Sequence, residues 1–322
     1  MILLLSQPGD PTTQTIFEIL YRKEESCLWF DLDSFPEQAS IALRADSNGS
    51  FSRHYQIRGH SVNLDLVTAI LWRRPSKPIA PKSITDVEIK NYVETTSSEV
   101  LAGIFADIDC FQVPANRDIL RVAHAKIPQL SLAVRTGFTI PKTLITNDPR
   151  EFLEFYRQND GRVITKPASV VAEPLVRGYM SGYAKLTRPR DLAHFQDISL
   201  CPFIAQAYVE KSREVRVTVV GSDVFAAEIH SQVTNRTKID WRRYVDHNTP
   251  YCSHALPVSI ADKCLRLTQS MNLAYSAIDL ILTPDRQYVF LELNPNGQYQ
   301  WVERFTGLPI SERLSQLLID HR

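Results

Sequence analysis

The stretch from Ser276 to Gly297 constrains the chain most. Ser276-Ala277-Ile278-Asp279-Leu280-Ile281-Leu282 and Tyr288-Val289-Phe290-Leu291-Glu292-Leu293-Asn294 flank a turn signal at Pro284-Asp285, and together they predict a β-hairpin. In the second arm, period-two alternation puts Phe290, Glu292 and Asn294 on one face and Val289, Leu291 and Leu293 on the other. With the four-residue loop Pro284 to Gln287, Thr283 pairs with Tyr288 and Asp279 stands directly opposite Glu292. Facing carboxylates repel unless a cation lies between them, and an Asp, a Glu and an Asn carbonyl supply the hard oxygens that Mg²⁺ prefers. The hairpin therefore reads as a floor for metal-bound phosphates; the plainer reading is a solvated hairpin face.

At 322 residues and 44% hydrophobic content the chain can bury a large core and is long enough for two or three domains. Its 36 basic and 36 acidic residues balance, so net charge draws it to neither nucleic acid nor membrane. Cys27, Cys110, Cys201, Cys252 and Cys264 contain no C-x-x-C pair, and their odd number argues against a disulfide framework and a zinc site. A reducing cytoplasm fits. Met1 to Ser6 is too short for a signal peptide and lacks a basic leading segment, so it reads as a first buried strand.

The chain opens β-α-β: a strand to Ser6, a helix to about Lys23, and a strand over Cys27 to Asp33. A polar, turn-rich segment between Ser34 and Asp65 predicts a small antiparallel meander. Val67 to Trp72 is a further strand ending in Arg73-Arg74-Pro75, and a long helix follows from about Asp86 to Asp107. A helix from about Ile119 ends at Gly137, and Asp148-Pro149 starts another by capping its first turn. Arg162 to Pro167 reads as a strand, Ala168 to Lys185 as a mobile lid, and Cys201 to Ser231 as two strands about Gly221-Ser222-Asp223. Helices are predicted from Ile260 to Met271, leading into the hairpin, and from Ile310 to Ile319.

Three further features bear on the hairpin. Lys166 ends a short apolar strand, with Lys126 in the helix before it; a lone strand-end lysine is ordinarily just solvated. Glu214, Arg216 and Thr218 share one face of a strand, where a carboxylate can hold ribose hydroxyls and a guanidinium can grip phosphate; the alternative is an exposed, self-compensating pair. Asp240-Trp241-Arg242-Arg243 is a cationic loop anchored by its tryptophan.

In this order, with Gln206-Ala207-Tyr208-Val209 between the lysine strand and Glu214-x-Arg216, these features resemble the ATP-grasp superfamily. Phe30-Asp31-Leu32-Asp33, Leu71-Trp72-Arg73-Arg74-Pro75, Ile140-Pro141-Lys142-Thr143, Glu214 to Gly221, Asp240-Trp241-Arg242 and Leu293-Asn294-Pro295-Asn296-Gly297-Gln298 narrow the resemblance to its ribosomal peptide maturases, the microviridin-type or graspetide synthetases. It spans almost the whole chain. The fold class it implies is α/β with α+β subdomains: an N-terminal α/β pre-ATP-grasp domain (1–115), a central subdomain carrying the lid and leader-peptide docking (116–205), and a C-terminal subdomain with the metal hairpin (206–322).

By that resemblance the cofactors are ATP and Mg²⁺. Lys126, Lys166, Gln206, Tyr208, Val209 and Glu214 would bind nucleotide; Asp279, Glu292 and Asn294 would hold Mg²⁺; Arg216 and Arg242 would stabilise the transferring phosphoryl group. Arg73, Arg74 and Arg243 would guide the acidic core of a ribosomal precursor peptide, whose Asp or Glu side chains become acyl phosphates and are closed onto Thr, Ser or Lys as esters or amides. A homodimer is a further expectation. Ala207 departs from the pattern, since relatives commonly place glutamate there. Two other readings stay open: a ligase joining an amino acid to a small acid or a protein C-terminus, and a catalytically weak peptide-binding partner of an active paralogue.

Overall fold

A computed structural model describes residues 1–57, 59–168, 184–233, 237–243 and 249–321. The chain divides into two compact units, Met1–Leu120 with Asn272–Tyr275 and Pro309–Arg322, and Arg121–Met271 with Ser276–Leu308. Among the described residues no helix is long and apolar enough to cross a membrane.

The first unit is built on the predicted β-α-β opening: β1 (Ile2–Ser6), α1 (Pro11–Arg22) and β2 (Cys27–Phe30). Every β1 residue is buried, the pattern of a central parallel strand covered on both faces. Asp10 caps α1 through Thr13 N–H at 2.8 Å, and Pro11 suits the first turn because its missing donor is not needed there. β2 stops at Phe30, three residues short of the expected end, because Asp31 caps a tight turn over Leu32–Ser34. The meander forms as predicted: β3 (Ala39–Ala45), β4 (Phe51–Ile57) and β5 (His60–Asn63) are antiparallel, with Tyr55 stacked on Phe30 at 4.7 Å. β6 (Ala69–Arg74), α2 (Val87–Asp107, capped by Asp86) and β7 (Phe111–Val113) complete a parallel sheet of order β2-β1-β6-β7. The C-terminal helix Ile310–Asp320 belongs to this unit and buries Leu314, Leu317 and Leu318.

The predicted helix from Ile119 to Gly137 is two helices, α3 (Arg117–Ala123) and α4 (Lys126–Arg135). Pro128 accounts for the break: it has no N–H to bond back toward His124, and it is tolerated only in the first turn of a new helix. Lys126 consequently opens α4. Gly137 ends that helix at φ +89°, a left-handed turn as expected of a C-cap.

In the second unit, β8 (Thr143–Thr146), α5 (Pro149–Gln158, capped by Asp148), β9 (Val163–Pro167), β10 (Lys185–Leu186) and β11 (Phe203–Ala207) give an antiparallel sheet of order β10-β9-β11-β8. The segment read as a lid, 168–185, lies outside the described residues from 169 to 183. β12 (Arg213–Val220), β13 (Asp223–Ile229), β14 (Tyr251–Ser253), α6 (Val258–Ser270), β15 (Tyr275–Leu282) and β16 (Tyr288–Asn294) follow. Their sheet runs β14-β13-β12-β15-β16, so the expected hairpin forms one edge and the Glu214 strand lies beside it.

Candidate active site

The hairpin sets Asp279 directly opposite Glu292 as predicted, but by a different route. The loop is three residues, Pro284–Arg286, closed by Thr283 N–H to Gln287 C=O at 3.0 Å, with Arg286 at φ +62°. Leu282 therefore pairs with Tyr288, one position off the expected register, and a bulge between Asp279 and Leu280 restores the Asp279–Glu292 pair further along. The bulge also breaks the alternation. Leu291, assigned by period two to the opposite face, lines a cleft beside Glu292, while Phe290 packs on Phe138 with ring centroids 5.8 Å apart.

Both carboxylates are clamped by side chains from three other elements and by Asn294 of the hairpin itself. Arg216 on β12 places Nη1 2.9 and 2.8 Å from the two Asp279 oxygens, and its Nη2 donates to Gln298 C=O at 3.1 Å. Glu292 accepts from Lys126 Nζ on α4 at 3.0 Å and from Arg242 Nη1 at 3.3 Å. Asn294 Nδ2 bridges the pair, 3.3 Å from Asp279 Oδ2 and 3.2 Å from Glu292 Oε1. Burial opposes ionisation of Glu292, but Lys126, Arg242 and Lys166 overcome it and hold the carboxyl far below its ordinary value. Asp279 moves the other way: burial and the Glu292 charge raise its pKa against Arg216. Two like charges this close titrate apart, and Glu292 keeps the negative charge.

Two acidic groups and a carboxamide converging on one point test whether a divalent ion suits the place. They do fit: Asp279 Oδ1 and Glu292 Oε2 each accept from one donor and keep a lone pair, and turning the Asn294 amide over frees a lone pair on Asp279 Oδ2 and on Glu292 Oε1 and presents Oδ1 instead of Nδ2. That oxygen set is the one Mg²⁺ takes, with its remaining positions left to water and phosphate.

A cleft lies over this floor, lined by side chains of both sheets of the unit. Ile164 and Lys166 of β9, Gln206 and Ala207 of β11, Tyr208 and Val209 line it from one sheet; Lys211, Glu214, Asp279, Ile281, Leu291 and Glu292 line it from the other. Its lining combines branched apolar side chains at Ile164, Ile281 and Val209 with cations and carboxylates at Lys166, Arg242 and Glu292. Lys166 has no hydrogen-bonded or ion-paired partner among the described residues, and burial, reinforced by Lys126 and Arg242, lowers its pKa despite Glu292. It is a free donor in the lining of the cleft.

The segment joining the two sheets is locked at its start and open further on. Ala207 N–H donates to Lys142 C=O at 2.9 Å and Tyr208 N–H to Arg162 C=O at 2.8 Å. Val209 N–H makes no hydrogen bond to another described residue. Gln206, 4% exposed, turns its amide onto Thr143 Oγ1 at 3.0 Å. Glu214 and Arg216, each 5% exposed, are buried and aimed inward, so their strand face is not the solvated pair that was the alternative.

Eleven of the predicted site residues thus converge in the second unit: Lys126, Lys166, Gln206, Tyr208, Val209, Glu214, Arg216, Arg242, Asp279, Glu292 and Asn294. Arg73 and Arg74 belong to the first unit, the former buried at 2% exposure, the latter exposed. Arg243 ends the turn Trp241–Arg243, and its side chain lies outside what the structure describes. The Trp241 anchor is real: its ring lies 4.7 Å from Trp301, which meets Tyr251 at 5.3 Å.

Sequence reasoning missed Lys211 and Asp240. Lys211, 7% exposed, ion-pairs Glu214 and donates to Ile239 C=O at 3.2 Å. Burial raises the Glu214 pKa, and Lys211 opposes it. Asp240 grips Arg242 through Nε at 3.0 Å and Nη2 at 2.8 Å, aiming the remaining arm of the fork at Glu292. The Asp-x-Arg spacing was the signal that could have found Asp240.

Known proteins share this fold. An ATP-grasp ligase associated with ribosomal peptide modification in Chryseobacterium gregarium, solved in complex with ADP and a leader and core peptide, superposes with a TM-score of 0.90 at 25% identity, covering 100% of this chain and 97% of that one. The macrocyclase MdnB of Microcystis aeruginosa MRC gives 0.81 at 26% identity, covering 99% and 98%. Both agree with the peptide-maturase resemblance read from the motifs. Among curated proteins, the glutamate–LysW ligase ArgX of Sulfurisphaera tokodaii is 21% identical over 62% of this chain and 70% of its own length. The model of the RimK-like ATP-grasp domain matches residues 123–318, so the fold is ATP-grasp, and the chain is an ATP-dependent ligase of the RimK-like ATP-grasp family.

Proposed function

We propose that this ligase activates Asp or Glu side chains of a ribosomal precursor peptide as acyl phosphates and closes them onto Thr, Ser or Lys side chains of the same peptide, making macrocycles. The observation that carries the reading is the 100% coverage of this chain by a relative solved with ADP, leader and core peptide. The amino-acid ligase reading is favoured by the ArgX likeness, but that likeness spans only 62% of this chain.

The cleft's own chemistry supports the nucleotide part. Ile164, Ile281 and Leu291 supply apolar faces for a base, and Val209 N–H is a free donor for its edge. Tyr208 shapes the same hinge, and Gln206 braces it through Thr143. Glu214, steadied by Lys211, suits ribose hydroxyls; Lys166 and Lys126 reach the phosphates. Asp279, Glu292 and Asn294 would hold Mg²⁺, which when bound neutralises phosphate charge and polarises the phosphorus–oxygen bond.

A carboxylate resists attack because its charge is delocalised and its oxide is a poor leaving group. Phosphoryl transfer from ATP cures both faults: one substrate carboxylate oxygen bonds to the γ-phosphorus as the bond to ADP breaks. A hydroxyl or amine of the peptide then adds to the acyl carbon, its proton leaves, and phosphate departs with that oxygen. Arg216 and Arg242 contribute by positioning and charge neutralisation, from which almost all of the rate enhancement in phosphoryl transfer arises. Their forks are pre-aimed by Asp279 and Asp240. No protein nucleophile is required. Arg73, Arg74 and Arg243 are assigned to guiding the acidic core; a homodimer, a cytoplasmic setting and the three-domain division at residues 115 and 205 belong to the same proposal.

The test is mass spectrometry of an acidic, Thr-rich precursor peptide incubated with ATP and the chain. The wild type should remove one water per ring while Glu292→Gln removes none; a peptide of unchanged mass that is bound while no ATP is consumed would instead favour a binding module.

A further inference from the structure

The back of the C-terminal sheet carries a second constellation that the ligase chemistry does not use. Glu228 on β13 pairs across strands with Cys252 on β14 and with Val215 on β12, so period two puts Glu228, His230, Cys252, His254 and Arg213 on one face. That face is opposite the one bearing Glu214 and Arg216. The side chains close on one another: Glu228 Oε1 lies 2.8 Å from His230 Nε2 and 3.1 Å from Cys252 Sγ, which is 3.7 Å from the same imidazole nitrogen.

Satisfying Glu228 does not need this many groups. Arg213 Nη1 already meets its other oxygen, Oε2, at 2.6 Å, neutralising it, and His254 Nδ1 adds a contact there at 3.0 Å. A thiol and a second imidazole beyond these are surplus to an ordinary carboxylate pair, and their ligating atoms share the Oε1 side. A tetrahedral ion with bonds of about 2.0–2.3 Å to oxygen, nitrogen and sulfur holds those atoms about 3.3–3.6 Å apart. The three separations require shifts of only a few tenths of an ångström.

We propose that Glu228, His230 and Cys252 form a site for a borderline-soft divalent transition ion, Zn²⁺ foremost, separate from the oxygen-only Asp279–Glu292–Asn294 set. The mix of thiolate, imidazole and carboxylate selects against Mg²⁺, which takes oxygens. Binding displaces the Cys252 thiol proton to solvent, and thiolate plus carboxylate then balance the ion's charge. The fourth position stays open to water because Cys252 is exposed. Arg213 and His254 orient the carboxylate from Oε2, and Tyr288 OH, 2.8 Å from His254 Nε2, orients that ring in turn. The ion would tie β14 to β13, and the β14 residue Tyr251 stacks on Phe305 at 5.0 Å and meets Trp301 beside Trp241. The site therefore pins the edge strand that supports the Trp241–Arg242 turn. The cysteine spacing hides it, since its ligands come from neighbouring strands and not from a C-x-x-C knuckle.

The test is titration of the tag-free full chain with Co²⁺ alone, followed by Zn²⁺. One equivalent of Co²⁺ should bring up a thiolate-to-cobalt charge-transfer band that Zn²⁺ bleaches, and Zn²⁺ should raise the melting temperature. Cys252→Ser should lose the band and the thermal shift, Cys201→Ser, at the other exposed thiol, should keep both, and His254→Ala should weaken binding by about 10–100-fold. His230→Gln gives an independent variant should Cys252→Ser misfold. No band in the saturated wild type, or an unchanged band in Cys252→Ser or in folded His230→Gln, overturns the site.

Discussion

Lys126 Nζ donates to Glu292 Oε2 at 3.0 Å across 166 residues of sequence, joining the first residue of a helix to the second arm of the hairpin. Both side chains are 12% exposed, so the pair operates in a poorly solvated setting. Its partners make opposite demands. Glu292 needs a cation nearby to remain ionised, and a bound nucleotide needs both a metal carboxylate and a free lysine. Removing one member therefore leaves the other mispaired.

Glu292→Gln is expected to lower ADP formation by roughly 10²-fold or more through loss of charge stabilisation. Lys126→Met should cost about 1–3 kcal/mol of stability as well as activity, since Glu292 retains Arg242 and Asn294. Chemical denaturation and steady-state ADP release measure the two effects. An active Glu292→Gln would remove that residue from the metal set.

Gly297 is needed for room, not for a left-handed backbone. A Cβ there would stand 2.5 Å from Arg216 Nη2 and 3.1 Å from Asn294 Cβ, and closer still to Ala277 Cβ. Gly297→Ala should therefore destabilise the chain by about 1–3 kcal/mol and displace the Arg216 fork, lowering turnover. Arg216→Lys tests the fork itself, because an ammonium cannot meet Asp279 and Gln298 with the same geometry. A Gly297→Ala enzyme with wild-type melting and turnover would contradict this packing.

Asp240 carries a pH signature. Burial works against its charge, but the Arg242 hydrogen bonds and charge and the Ala184 N–H hold its pKa below the ordinary value. A depressed carboxylate contributes stability that is complete above its unfolded pKa and is lost as pH falls through the folded one. The stability difference between wild type and Asp240→Asn should be flat above about pH 5 and shrink below about pH 4. Paired denaturant titrations across acid pH check it; a difference that grows on acidification refutes the assignment.

Val209 is the test of the hinge. If its N–H meets the base, Val209→Pro should weaken nucleotide binding by about 2–13-fold, the worth of one net hydrogen bond, while Val209→Ala changes it little. Calorimetric titration with ADP separates them; equal affinities for both variants would place the base elsewhere.

The helices and the parallel opening were legible because caps and periodicity are local: Asp86, Asp148 and Gly137 mark ends that formed where they were read. The carboxylate pair was legible too, although by compensation, as the tighter loop and the bulge at Leu291 offset each other. A bulge answers to the twist and packing of a whole sheet and leaves no local mark, so the inward turn of Leu291 could not be read. The break at Pro128 was written in the sequence and was overlooked. Lys211 and the back-face Cys252 gain meaning only once the neighbouring strands are paired, because their partners, Glu214 excepted, lie far along the chain.

The most direct measurement follows the fate of a carboxylate oxygen. A precursor peptide with heavy oxygen in its Asp and Glu side chains, turned over with ATP and Mg²⁺, should deliver one labelled oxygen to phosphate for every ring closed. Ring closure with all the label left in the peptide or released as water would contradict acyl phosphate formation in this cleft.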